Sequence, residues 1–453
     1  MPGDPAHVRR ALGATLLVVL ASCAPASATP GGTGTPGATR ADEPSRAPSP
    51  SASATTAASA DPRPGASSAA SPAQPGPVSP AQPGPVSPAQ PAPVSPARST
   101  PGLPPVDASR APTLTDGVVQ SGLNVPWDIA FAPDGRMFVT ERGGNVLVFA
   151  SAAPGAARLS TTTIPQVVQN GESGLLGLAL DPDFAANGLL YLCATRSDGG
   201  TQNQILRYRV NGNAIAFDAV LVRGMRAASN HDGCRLRFGP DGKLWATMGE
   251  AGNTALAQDP NSLNGKILRL NADGSVPADN PILPGARART IAYSTGHRNP
   301  QGLDFQPGTG TVFGIEHGPD SDDEVNVIRA GANYGWPTVL QTGGAARGFV
   351  DPVWSSGSVT FATSGGAFVS GPAWGAWSGS LFVATLKDTT LRRLAVSGTS
   401  VASAEILYRG KYGRLRAVVR GPDGALYVTT SNRDGRGSPV ASDDRIVRIA
   451  PAP

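Results

Sequence analysis

The chain has 453 residues, 15% of them charged, and its 37 Lys and Arg against 33 Asp and Glu leave a net charge of +4. That small excess, carried by scattered arginines with no Lys/Arg block, excludes the electrostatic footprint of a nucleic-acid-binding protein. The length admits two or three domains, but the stretch from Cys23 to Thr113 is almost wholly Ala, Pro, Ser, Gly and Thr. It has too few large apolar groups to offset the entropy of ordering.

The N-terminus reads as an address. Arg9 and Arg10 are followed by an apolar run from Ala11 to Ala21, too short to span a bilayer. Leu20-Ala21-Ser22-Cys23 resembles a bacterial lipobox, so residues 1–22 are expected to be a lipoprotein signal peptide and Cys23 the acylated residue. Diacylation gives stable anchoring and places the protein outside the cytoplasm, on the cell envelope. An ordinary secretory signal with an incidental cysteine is the alternative. Residues 23–112 then form a tether with near-identical copies of Pro-Gly-Pro-Val-Ser-Pro-Ala-Gln between Gln74 and Ala97. Proline at this density favours extended polyproline II segments. The tether is either a spacer or neutral low-complexity sequence. Cys193 and Cys234 lie in the remaining part. In an oxidising compartment they either pair or stay as two buried thiols, and the spacing leaves both open.

Residues 113–453 hold one recurring pattern, an apolar strand, a Gly/Pro/Asp turn and a second apolar strand. Copies run from Ile129 to Thr140, Leu176 to Phe184, Leu236 to Thr247 and Leu303 to Phe313. Two more run from Ala373 to Thr385, turning near Ser378-Gly379, and from Val418 to Thr429. The recurring Asp-Gly pair suits tight turns because glycine accepts positive φ, and Val, Phe, Leu, Tyr and Trp suit half-buried strands. Long helical periodicity is absent. One unit per roughly 55–60 residues is the size of a four-stranded blade with its loops. The expected fold is all-β, a six-bladed β-propeller, with a pair of β-sandwiches as the alternative.

In an antiparallel hairpin the start of the first strand and the end of the second share the edge opposite the turn. His231 and Glu250 occupy such positions. So do Arg298 and Asn299 with Glu316-His317-Gly318-Pro319, Glu172 with Arg196, Asp128 with Glu141-Arg142, and also Lys387, Arg414 and Arg416. If all turns point one way, these polar groups ring one mouth of the propeller, which makes that mouth the candidate active site.

These positions also carry a family resemblance. Asn170-Gly-Glu-Ser-Gly-Leu-Leu-Gly177, Asn230-His-Asp-Gly-Cys-Arg-Leu236 and Leu263-Asn-Gly-Lys-Ile-Leu-Arg-Leu270 are similar to segments of the soluble pyrroloquinoline quinone (PQQ)-dependent aldose sugar dehydrogenases. So are Thr295-Gly-His-Arg-Asn-Pro-Gln-Gly-Leu303, Glu316-His-Gly-Pro-Asp-Ser-Asp-Asp-Glu-Val-Asn326 and Gly331-Ala-Asn-Tyr-Gly-Trp-Pro337. The resemblance runs in order from about Val125 to Leu426. It implies that His231 is the catalytic base and that Arg298 and Asn299 contact PQQ. It also implies that the backbone carbonyls of Gly318 and Pro319 bind calcium, and that Lys387, Arg414 and Arg416 hold the carboxylates of PQQ. Glu250 stands where the family commonly has Asp near the catalytic histidine, and Glu172 stands where well-known members have Gln.

The residue types suit that chemistry. Oxidising a sugar hemiacetal at C1 to a lactone needs a base for the hydroxyl proton while hydride leaves carbon, a role for neutral imidazole. Glu250 would orient it. Three cations complement the three carboxylates of PQQ, and calcium takes oxygen ligands. A carboxylate at position 172 adds negative charge beside an anionic cofactor unless Arg196 or calcium offsets it. His297 reads as structural, Trp336 as packing, and the side chains of Asp320 to Glu324 as a solvated acidic loop. The expected partners are an aldose substrate, an external electron acceptor (quinone, cytochrome or dye) and a membrane reached through the lipid anchor. Nucleic acid is excluded and a monomer is expected. The competing functions are a surface-anchored propeller that binds without catalysis and a calcium-dependent, lactonase-type hydrolase.

Overall fold

The computed structural model describes residues 109–340 and 342–453. The signal peptide, Cys23 and nearly all of the expected tether lie outside the described residues. Among the described residues the chain forms six four-stranded antiparallel sheets. They follow one another along the chain as the blades of a propeller.

Blade 1 is built from Pro126–Phe131, Met137–Glu141, Asn145–Phe149 and Arg158–Thr163, and blade 2 from Leu175–Leu180, Leu189–Arg196, Gln202–Asn211 and Ala214–Arg226. Blade 3 contains Leu236–Phe238, Leu244–Met248, Lys266–Leu270 and Ala292–Thr295, and blade 4 contains Pro300–Phe305, Val312–Glu316, Glu324–Val327 and Trp354–Ser355. Blade 5 comprises Thr363–Phe368, Leu381–Thr385, Leu391–Ser397 and Ser400–Leu407. Blade 6 takes Leu415–Arg420, Leu426–Thr430 and Ile446–Pro451 from the C-terminus and its outer strand, Leu114–Gln120, from the start of the fold. Leu114 pairs with Pro451 in that last ladder. The ring is thereby closed by hydrogen bonds between its two ends, and the edge that an open sheet would expose is covered.

Strand type follows position. Inner strands are short and buried, as in Leu175–Leu180 and Thr363–Phe368, whereas the outer strand Ala214–Arg226 is largely exposed on both faces. Inner strands also approach the next blade closely. A Cβ added at Gly177 would lie 2.3 Å from the carbonyl oxygen of Cys234, and one at Gly302 would lie 2.4 Å from that of Ser364. Apolar clusters fill the spaces between blades. One of them joins Leu176, Tyr191 and Cys193 of blade 2 to Leu236, Leu244 and Met248 of blade 3. Within it Cys193 and Cys234 form a disulfide with a Cα–Cα distance of 6.1 Å, which settles the choice between paired and free thiols.

The fifth hairpin departs from the sequence expectation. Ala373 lies in a 3-10 turn over Pro372–Trp377, and the first strand of that blade is Thr363–Phe368. The apolar Pro-Ala-Trp-Gly-Ala-Trp run resembles a strand by composition, but the positive φ of Gly371 and Gly375 breaks it. Trp374 and Trp377 pack on Phe382 instead.

Candidate active site

The first turns of the blades gather at one mouth. There Pro133, Pro240, Gln306–Gly310, Ser370 and Pro422 line two adjoining cavities of about 680 and 430 Å³. These voids are the larger ones, but their polar groups are occupied. Arg237 pairs with Asp128 at 3.0 Å, Arg420 with Ser370, and Asp304 accepts from the backbone N–H of Phe368 at 2.6 Å. The groups capable of chemistry lie at the opposite rim.

His231 sits in the loop between blades 2 and 3 with a left-handed φ of 61°. Its backbone is clamped there. The carbonyl accepts from Ala251 N–H at 3.1 Å, and an added Cβ at Gly249 would come within 2.1 Å of that oxygen. The imidazole Nδ1 is 2.8 Å from Oε2 and 2.9 Å from Oε1 of Glu250. Glu250 itself is 1% exposed and also accepts from Gly252 N–H at 2.7 Å. A carboxylate at Nδ1 selects the tautomer with its proton on Nδ1, which leaves Nε2 as an acceptor. Nε2 has no protein partner among the described residues, and the side chain retains 12% exposure. Asp232 is buried directly behind, held by Asn203 at 2.9 Å and by the N–H of Ala228 at 3.1 Å. Burial pushes its carboxyl up to about 7.

Glu172 joins three blades. Its Oε2 accepts from His231 N–H at 3.0 Å and from Asn299 Nδ2 at 3.1 Å, while Oε1 lies 3.4 Å from Arg436. Burial pushes this carboxyl up. His317, the His231 N–H and Arg436 outweigh burial and hold it below the usual range. Arg196 does not supply the compensation expected of it. Its guanidinium is spent on Pro165, Gln204 and Gln166. Asn299 is fully buried one layer down, and its Oδ1 accepts from Gly233 N–H at 3.2 Å.

Arg298 reaches across the loop after strand Val312–Glu316. Nη1 donates to the carbonyls of His317 at 2.9 Å and Gly318 at 2.7 Å, and its guanidinium lies 5.4 Å over the Trp336 ring. Burial pulls its pKa below the ordinary arginine value. Gly318, Pro319, Glu316, Asp322, Glu324 and Trp336 line a cleft of about 20 Å³ beside it, room for one water-sized group. The acidic run is not the solvated loop expected. Asp322 and Asp323 are buried, and Asp323 accepts from Gly318 N–H at 2.9 Å and Phe361 N–H at 2.5 Å. Burial, with Glu316 adding like charge, pushes Glu324 up to about 8. His297 is also buried, its ring nitrogens taken by Glu316 and Ser294.

On the blade 6 side Arg414 and Arg416 converge on a residue the sequence reading missed. Asp434 Oδ2 accepts from Nε and Nη2 of Arg414 at 3.0 and 2.9 Å and lies 3.7 Å from Arg416. The only signal for it was that two neighbouring arginines need a carboxylate, and several lay within reach. Burial pulls Arg416 down to about 9. The Lys387 chain is exposed, and its ammonium makes no hydrogen bond or ion pair among the described residues. Asp128 does not belong to the rim. It is fully buried near the axis and paired with Arg235 at 2.7 Å, with Trp127 stacked 4.0 Å from that guanidinium.

This constellation of a carboxylate-held imidazole, buried cations and a carbonyl-lined cleft can be set beside known proteins. The Glucose / Sorbosone dehydrogenase family model matches residues 123–442. The chain belongs to the glucose/sorbosone dehydrogenase family. An aldose sugar dehydrogenase of Escherichia coli (strain K12) is 33% identical over 344 residues, covering 71% of this chain and 91% of that protein. Quinoprotein glucose dehydrogenase B of Acinetobacter calcoaceticus is 35% identical over 252 residues, 49% of this chain and 52% of that protein. The PQQ-bound aldose sugar dehydrogenase of Streptomyces coelicolor superposes with a TM-score of 0.66 at 36% identity, covering 75% of this chain and 99% of that one.

The rim of this glucose/sorbosone dehydrogenase family member fits an anionic, acceptor-rich ligand. Nε of Arg142, Nε of Arg298 and Nε1 of Trp336 are buried without a partner. The cleft beside Gly318 and Pro319 fits a cation, since the carboxyls of Glu316, Asp322 and Glu324 line it together. Among the described residues no three His, Cys, Asp or Glu side chains converge as a metal site, so backbone oxygens would carry the ligation.

Proposed function

We propose that the protein is a PQQ- and calcium-dependent dehydrogenase that oxidises aldose sugars at the hemiacetal C1 to the lactone. The observation that carries this reading is the geometry of His231. Its Nδ1 is fixed by Glu250 and its Nε2 has no partner among the described residues, at a rim where Nε of Arg142 and Nε of Arg298 are also unpartnered.

The chemistry supplied by a bound quinone and calcium is acceptance of hydride from carbon, with the metal polarising the acceptor carbonyl. The residues do the rest. Nε2 of His231 takes the C1 hydroxyl proton, and the Glu250 carboxylate stabilises the resulting imidazolium at Nδ1. Glu172 holds the His231 backbone and Asn299 in register. Lys387, Arg414 and Arg416 would bind the cofactor's carboxylates, Arg298 and Asn299 would contact it, and the carbonyls of Gly318 and Pro319 would ligate the cation. Arg298 already donates to the Gly318 carbonyl, so a cation there would share that oxygen through its second lone pair or replace the contact. The Leu20-Ala-Ser-Cys23 sequence supports an exported, lipid-anchored protein passing electrons to an external acceptor, and we take it to act as a monomer.

The test is reconstitution of the purified protein with PQQ and calcium, followed by dye reduction with a panel of aldoses. His231→Ala is expected to lower kcat by about 10²–10⁴ with PQQ affinity nearly unchanged. Normal turnover by that variant ends the assignment of the base.

A further inference from the structure

Arg142 follows strand Met137–Glu141 of blade 1 and is only 6% exposed. Its backbone is fully used, the N–H donating to Val125 at 3.1 Å and the carbonyl accepting from Leu175 at 2.9 Å. The guanidinium is not. Nε is buried without a partner, and no hydrogen bond or ion pair of the side chain occurs among the described residues. Such a cation is costly to keep, because its Nε meets neither water nor an acceptor and no carboxylate is in contact with it.

The surroundings show where it sits. An added Cβ at Gly174 would lie 2.7 Å from Cγ of Arg142, so the loop carrying Glu172 packs on its stem. The charges that act on it belong to Asp434, Glu172, Arg436 and Arg414, and it acts in turn on Arg416. This part of the rim sets four guanidiniums, Arg142, Arg414, Arg416 and Arg436, against two carboxylates, Asp434 and Glu172. Asp434 is shared by Arg414 and Arg416 and Glu172 is paired with Arg436, which leaves none for Arg142. The excess is two positive charges.

We infer that Arg142 is a further binding residue for the anionic cofactor, its unpaired guanidinium receiving a carboxylate beside those held by Arg414 and Arg416. This rests on the PQQ reading above. A ligand with several carboxylates neutralises the excess that the protein leaves open, and the forked donors of arginine suit that group. Free of ligand, the protein bears the cost of the unpaired cation.

The experiment uses apoprotein, PQQ itself as the probe, and two readouts, PQQ affinity by fluorescence titration and the melting temperature of the apo form. Arg142→Gln is expected to raise the Kd for PQQ by about tenfold or more, the size of one charge-assisted contact. The apo melting temperature should hold or rise, since an unpaired buried charge has been removed. Arg142→Lys, which keeps the charge, should fall between wild type and Arg142→Gln in affinity. Unchanged PQQ affinity in Arg142→Gln overturns the inference. So does a lowered apo melting temperature or an insoluble variant, because either makes the residue structural. Failure of the wild type to bind PQQ instead brings down the cofactor reading itself.

Discussion

The backbone N–H of His231 donates to Oε2 of Glu172 at 3.0 Å, so the loop bearing the proposed base is fastened to a carboxylate from the neighbouring blade. That oxygen also anchors Asn299. A glutamine at position 172 keeps an acceptor oxygen for both donors while removing a negative charge beside an anionic cofactor. Glu172→Gln should therefore tighten PQQ binding by about fivefold, from ~1 kcal/mol of relieved repulsion, and more at low salt than at high. Titrations at two ionic strengths test this, and weaker binding by the variant would show that the charge is needed.

Glu250 is expected to act through the imidazole. In Glu250→Gln the amide can present its NH₂ to Nδ1, which would place the ring proton on Nε2 and block it as a base. We expect kcat to fall by about 10³-fold, in line with tautomer-reversing changes elsewhere, with the Kd for PQQ nearly constant. Steady-state kinetics beside a PQQ titration separates the two, and a kcat within threefold of wild type, or about that, contradicts the role.

Asp232 gives a pH signature. Burial raises its carboxyl to about 7, whereas an unfolded aspartate titrates near about 3.9. Between those values the folded protein holds a proton that the unfolded chain has lost. This group's contribution to stability is therefore complete at low pH, declines as pH rises through the window, and is constant above it. Asp232→Asn lacks the slope and should gain on wild type in melting temperature from pH 4.5 to 7.5 or thereabouts. Parallel stability curves would refute the assignment.

The Cys193–Cys234 bridge closes a loop with a sequence separation of 41. Loop-closure entropy for that span is worth about 4 kcal/mol. The Cys193→Ala, Cys234→Ala double variant should lose stability of that order in denaturant titration. A loss under about 1 kcal/mol would mean that residual structure in the unfolded chain already holds this loop together and that loop-closure entropy is not the source of its stability.

What could be read without coordinates was whatever local chemistry dictates. Asp-Gly turns between short β-rich runs mark hairpins wherever they occur, and counting them gave the number of blades. The hairpin geometry placed His231, Glu250, Arg298, Arg414 and Arg416 at one mouth. The failures have the same logic. Pro372–Trp377 is apolar enough to pass for a strand, and only the backbone reversal at its glycines shows otherwise. Asp128 has the right position along its hairpin but turns inward to Arg235.

The amino-acid order by itself determined the repeating unit and its number, because turn formation and strand alternation depend on residues a few positions apart. Only the tertiary structure decided which charges cancel. Asp434 serves Arg414 and Arg416, Glu172 serves Arg436, and Arg142 is left with none. Glu172 and Arg436 come from different blades and Asp434 lies about twenty residues beyond its arginines, and electrostatic energy in a buried site depends on distance through space, which the order of residues along the chain does not specify.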